Sequence, residues 1–155
     1  MPTKELDQIL KEHPFFSGLE PRYLSLIAGC AKNVQFEPGD YLLHEGGDAD
    51  QFFVIREGTV AIEVHGPGRP PVTVQTVKDG EIVGASWLLP PYRWAYDAKA
   101  IDFVRATALD AKCLRGKCEE DHELGYDLMK RFLPVVVARL HAARLQMVDV
   151  YGAHS

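Results

Sequence analysis

Gly46-Gly47-Asp48-Ala49-Asp50-Gln51-Phe52-Phe53-Val54-Ile55-Arg56-Glu57-Gly58 is the stretch that decides the fold. Its opening glycines and aspartates have the chemistry of a tight turn. Phe52 to Ile55 form a short, continuous apolar run of β-favouring residues, which predicts a buried strand. Glu57-Gly58 closes it. Val60, Ile62 and Val64 then alternate with smaller or polar partners, the period of a second strand.

The same pattern continues outward on both sides. Upstream, Val34 and Phe36 alternate with polar residues, Glu37-Pro38-Gly39-Asp40 turns the chain, and Tyr41-Leu42-Leu43 reads as a short strand. Downstream, Gly66-Pro67-Gly68-Arg69-Pro70-Pro71 is a loop tip. Val72, Val74 and Val77 resume the strand pattern, and Asp79-Gly80 turns the chain again. Ala98 to Leu109 reads as strand, turn and strand. Short strands at regular turn spacing imply a small sandwich or barrel.

Helical periods occupy the two ends. Leu6, Ile9 and Leu10 are spaced for a helix, with Thr3 as its N-cap, and His13-Pro14 ends it. A second helix starts near Glu20 with Pro21 at its first position, and Tyr23, Leu24, Ile27 and Ala28 form its apolar side. Helical signals return near Lys112. The last element runs from about Glu123 to Tyr151. Within it Leu133, Val136, Leu140, Ala143, Met147 and Val150 are spaced 3, 4, 3, 4, 3, an a/d seam, while Arg139, Arg144 and Asp149 are expected to keep the other faces wet. The seam packs either on its own strands or on a second copy. The helix outruns a small β-domain, which favours a homodimer for its second half. Pro134 should kink it or remove one backbone bond.

Bulk properties bound the function. The 155 residues, 46% hydrophobic and 25% charged, can form a single globular domain with a core. A net charge of -5 argues against a broad electrostatic grip on DNA or an anionic membrane. Three cysteines, no apolar N-terminal core and no bilayer-length apolar run point to a cytoplasmic protein with no membrane partner.

The order of elements resembles the cyclic nucleotide-binding domain of the Crp/Fnr type. His13-Pro14-Phe15-Phe16-Ser17-Gly18-Leu19 is similar to the family's opening motif, and Phe36-Glu37-Pro38-Gly39-Asp40-Tyr41-Leu42 to its first β-turn. Residues 46–58 resemble its central hairpin, and Asp79-Gly80-Glu81-Ile82-Val83-Gly84 the approach to its phosphate cassette. The resemblance implies a mainly β fold with flanking helices. A double-stranded β-helix, a jelly-roll-like β-roll, would span 34–111, after N-terminal helices in 1–33 and before C-terminal helices in 112–151, all in one domain, 1–155.

The resemblance also implies a ligand site. In the family a cyclic phosphate meets backbone amides at a glycine, a following glutamate holds the ribose hydroxyl, and an arginine neutralises the phosphate. Here Gly84 matches the glycine, and Ala85 stands where the glutamate is expected. Losing that acceptor costs a bound ribose roughly 1–3 kcal/mol. Ser86 can add a hydroxyl. Arg93 is the one candidate for the phosphate arginine. If Ala98 and Ala100 face inward, strand parity brings Tyr96 and Trp94 inward too and turns Arg93 away, unless a bulge intervenes. Trp87, Tyr92, Trp94 and Tyr96 are then either core filling or a stacking box for a planar ligand.

Two further groups invite chemistry. Cys113 and Cys118 lie five apart among Lys112, Arg115 and Lys117, which would lower a thiol pKa; they are a redox pair or two inert half-buried cysteines. His44, Glu45 and His65 raise a cupin-like metalloenzyme, although the usual paired histidines are absent, and both imidazoles read as surface groups. No metal site is assigned.

The expected function is therefore a non-enzymatic sensor or regulatory module. Its divergent cassette would bind cyclic AMP weakly or take another small anionic ligand, with no other cofactor. The alternative is a ligand-free protein-interaction module with a protein partner. The helix-turn-helix of the family's transcription factors does not follow Gly152, so direct DNA binding is not expected.

Overall fold

The computed structural model describes residues 12–68, 70–84, 90–94 and 96–152, together with Leu10 and Trp87; beyond His141, side chains are described at Arg144 and Leu145. Leu10 is helical and fully buried. The rest of the expected first helix, with Thr3, Leu6 and Ile9, lies outside the described residues.

Eight strands form two four-stranded antiparallel sheets. The strands are β1 (Ala31–Phe36), β2 (Tyr41–Leu43), β3 (Gln51–Glu57), β4 (Val60–Val64), β5 (Val72–Val77), β6 (Ile82–Val83), β7 (Asp97–Ala100) and β8 (Val104–Asp110). One sheet has the order β1-β8-β3-β6 and the other β2-β7-β4-β5. The chain crosses between the sheets at Gly58, whose φ is +108° and where a Cβ would lie 2.5 Å from the Phe103 carbonyl oxygen. Only glycine fits that crossing.

β3 is buried at all four positions from Phe52 to Ile55. A strand that alternates polar and apolar residues covers one face; this one is covered on both, by the roll's interior and by the helices. That is why the deciding stretch is a continuous apolar run. Opposite it, β8 buries Val104, Ala106, Thr107, Ala108 and Leu109.

The helices are α1 (Pro21–Ala28), α2 (Ala111–Glu120) and α3 (His122–Gly152), preceded by a 3-10 turn at Pro14–Phe16. Pro21 sits at the start of α1, and Tyr23, Leu24, Ile27 and Ala28 are its buried side. Asp110 caps α2 by accepting the Cys113 N–H at 2.8 Å.

Leu124, Leu128 and Phe132 bury one face of α3. Phe132 meets Phe15, Phe52 and Trp87 edge-on at 4.9, 5.0 and 5.4 Å between centroids. Arg131 donates to the carbonyls of Phe15 and Ser17 at 2.8 Å each. α3 is assigned as one helix through Pro134. The proline lacks an N–H, so it cannot donate to the Lys130 carbonyl as a helical residue would.

Away from that buried face the character of α3 changes. Tyr126, Met129, Leu133, Val136, Val137 and Leu140 are all exposed. Leu133, Val136 and Leu140 belong to the expected seam; the side chains of Ala143, Met147 and Val150 lie outside the described residues. Tyr126 and Met129 extend the stripe two turns toward the N-terminus with the same 3, 4 spacing.

Candidate functional site

Gly84 follows β6 with φ +97°. A Cβ there would stand 2.8 Å from Cζ3 of Trp94. The indole therefore lies directly against the glycine, in space that any side chain would claim. The Gly84 N–H donates to the Tyr96 hydroxyl at 3.1 Å. That hydroxyl also accepts from Arg139 Nη1 at 3.0 Å. Arg139 comes from α3, and its Nη2 donates to the Ile82 carbonyl, one strand position from β6's end. Its Nε is buried with no hydrogen-bond partner.

Backbone pairing fixes which side chains face this spot. The Trp94 N–H donates to Gly47 O and the Gly46 N–H donates to Trp94 O, both at 2.9 Å, while the Ala49 N–H donates to Tyr92 O at 2.7 Å. Alternation along this ribbon turns Trp94 inward, 7% exposed, in phase with the fully buried Ala98 and Ala100. Arg93 is turned out. Its Nη1 lies 2.6 Å from Asp48 Oδ1, with its side chain 56% exposed. Ala85 and Ser86 lie outside the described residues.

The four aromatics have separate duties. Trp87 is fully buried and stacked on Phe52 at 4.9 Å, so it is core. Tyr92 lies under the Arg115 guanidinium at 4.2 Å. Trp94 packs on Gly84, and Tyr96 binds its amide. They do not form one stacking box.

Arg139 is the residue that sequence reasoning misplaced. It was expected to keep the helix wet, yet it turns to the roll. The available signal was its phase: it continues the core face of Leu128, Phe132 and Val135 at steps of four, three and four.

The cysteines also differ from expectation. Cys113 is bonded to Cys30, with 5.8 Å between their Cα atoms, and not poised for Cys118. Five positions along a helix place two side chains on diverging faces, whereas the Asp110 cap turns Cys113 to the end of α1. Cys118 is free. Burial pushes its thiol up to about 11, with Glu119 and Asp121 adding to the shift, so the nearby lysines and arginine do not activate it.

His44 and His65 flank a buried carboxylate, Asp97, 6% exposed. His65 Nε2 contacts Asp97 Oδ2, and His44 Nδ1 lies 3.9 Å from Oδ1, which also accepts the Glu45 N–H at 2.7 Å. Burial alone would raise the Asp97 pKa. The Glu45 and His65 hydrogen bonds and the neighbouring imidazoles outweigh it and hold the carboxyl below its ordinary value. Among the described residues no group of three such side chains is arranged to hold a metal ion.

The profile of the cyclic nucleotide-binding domain matches residues 33–121, from β1 through α2. The chain belongs to that family. This cyclic nucleotide-binding domain is 23% identical over 145 residues to the CRP-like cAMP-activated global transcriptional regulator of Mycobacterium tuberculosis, covering 94% of this chain and 63% of that protein. The domain therefore spans less than two thirds of that regulator's length. A protein of Geobacter metallireducens, designated cyclic nucleotide-binding, superposes with a TM-score of 0.77 at 29% identity, over 91% of this chain and 99% of that one. A cyclic nucleotide-binding domain from Methylobacillus flagellatus shares the fold, with a TM-score of 0.77 at 18% identity over 95% and 83% of the two chains. No helix among the described residues is long and apolar enough to cross a membrane.

Proposed function

We propose that this domain is a non-enzymatic regulatory module whose ligand pocket is closed by its own side chains, so that cyclic AMP binds weakly. The observation that carries the reading is the pairing at Gly84. Its N–H is satisfied by the Tyr96 hydroxyl, and Trp94 lies against its Cα face. A cyclic phosphate needs that amide and that space. Ala85 in place of the family's glutamate removes a ribose acceptor as well. The polar groups that converge here are an amide, a phenol and a guanidinium, which suit binding rather than group transfer.

The output of the module is α3. At about 1.5 Å per residue its 31 residues extend about 46 Å, and its fully packed apolar side chains, Leu124, Leu128 and Phe132, lie near its N-terminal end. The exposed stripe from Tyr126 to Leu140 repeats at 3, 4 spacing, the period of a coiled-coil seam that is complementary to a second copy of itself. We assign it to a homodimer. Calorimetric titration with cyclic AMP tests the pocket: binding weaker than micromolar is expected, and sub-micromolar affinity overturns the reading.

A further inference from the structure

We infer that Arg139, carried by the C-terminal helix, is the anion-binding arginine of this site, and that the Tyr96 hydroxyl occupies the position of a small oxyanion's oxygen. The inference deepens the closed-pocket reading and rests on it.

One oxygen, Tyr96 Oη, receives two donors from different elements: the Gly84 N–H at 3.1 Å and Arg139 Nη1 at 3.0 Å. A backbone N–H and a guanidinium converging on one oxygen are the donor set that holds a phosphate or similar oxyanion. The charge bookkeeping points the same way. Arg139 forms no salt bridge among the described residues, and its known acceptors, the Tyr96 hydroxyl and the Ile82 carbonyl, are neutral. Its Nε is buried and unpaired. A half-buried guanidinium with an orphan Nε–H and no counter-charge among the described residues is an unfinished site. Arg93, where the family's arginine was expected, is committed to Asp48 at 2.6 Å.

The ligand class follows from the space. Trp94 fills the region against Gly84 that a nucleoside phosphate would enter. Phosphate needs more room than one phenol oxygen leaves, so the Tyr96 side chain must swing aside for it; the anion that can then reach both donors without displacing Trp94 is small, of the inorganic phosphate or short phosphate-monoester class. Such an anion would join β6, the segment carrying Tyr96 and α3 through one set of bonds.

The experiment is thermal unfolding and calorimetry of the full chain with inorganic phosphate, against chloride at equal ionic strength. A second arm uses glycerol phosphate, to separate free phosphate from a monoester. Wild type should melt higher in one of the two. Arg139→Gln should lose that shift, and Arg93→Gln should keep it. Tyr96→Phe removes the competing oxygen and frees both donors, so it should bind about tenfold more tightly. This gain is one a merely structural Arg139–Tyr96 contact would not produce. A shift lost in Arg93→Gln but kept in Arg139→Gln overturns the assignment, as does the absence of any shift in both wild type and Tyr96→Phe. Sub-micromolar cyclic AMP binding by wild type would instead sink the closed-pocket reading. Weak cyclic AMP binding with no phosphate effect would sink this inference alone.

Discussion

At Gly84, one backbone position carries three requirements together. It holds a positive φ, admits an indole ring against its Cα, and presents its N–H to a phenol. Gly84→Ala meets both left-handed strain and the Trp94 ring, and should lower stability by about 1–3 kcal/mol in urea titration. An unchanged midpoint would mean that the ring does not lie there. A second buried polar residue sets a pH dependence. His13, 6% exposed, accepts the Phe15 N–H on Nδ1, which leaves its Nε2–H to donate to the Ile55 carbonyl. Burial lowers its pKa from the ordinary 6.5, outweighing the Ile55 bond. The unfolded chain therefore binds the proton first. This contribution to stability is complete above pH 6.5 and is lost as pH falls from there toward the folded-state value. Stability measured from pH 7.5 to 5 should decline in wild type and decline less in His13→Gln; equal slopes would contradict the buried neutral imidazole. Asp97, with its folded pKa lowered from 3.8, adds a separate loss at more acid pH, as the carboxyl protonates.

Among the elements, α2 joins the roll to α3, and the Cys30–Cys113 bond ties its first turn to the end of α1 across 83 residues of chain. Closing a loop of that length stabilises by about 2–4 kcal/mol. Cys30→Ser should lower the denaturation midpoint accordingly under non-reducing conditions and abolish the effect of reductant, whereas Cys118→Ser should leave it. A wild-type midpoint indifferent to reductant would show that the bond does not form. The elements themselves were legible because their signals are local. Glycine turns bracket β3 and β4, Pro21 opens α1, and the seam of α3 is periodic. What escaped was non-local. No spacing pairs Cys30 with Cys113, because the contact depends on the α1 end and the α2 cap meeting. Arg139 looked like a wet-face charge because periodicity was counted from the exposed seam, while its partners, Tyr96 and Ile82, lie on other elements. The inward turn of Trp94 was legible, since strand alternation from Ala98 and Ala100 carried it.

At the scale of the whole molecule, the site beside Gly84 is bonded to a helix with two faces. One face of α3 holds Leu124, Leu128, Phe132 and Arg139 against the roll, and the other presents Met129, Leu133 and Leu140 to solvent. In the proposed two-fold dimer the exposed face would meet its own copy, and a change in the seat of Arg139 would be felt on the same helix. Leu133 is 63% exposed, so its replacement disturbs little packing. Leu133→Arg should therefore stay folded and halve the mass measured by light scattering, and a wild type that is already monomeric would contradict the seam. The central claim is that Tyr96 and Trp94 hold the place beside Gly84. It is tested most directly by following the Gly84 amide resonance in nitrogen–proton spectra during a cyclic AMP titration. The account predicts that the resonance stays in place at micromolar nucleotide, and moves on Tyr96→Phe substitution. A saturating shift in wild type at sub-micromolar nucleotide, with no response to Tyr96→Phe, would contradict it.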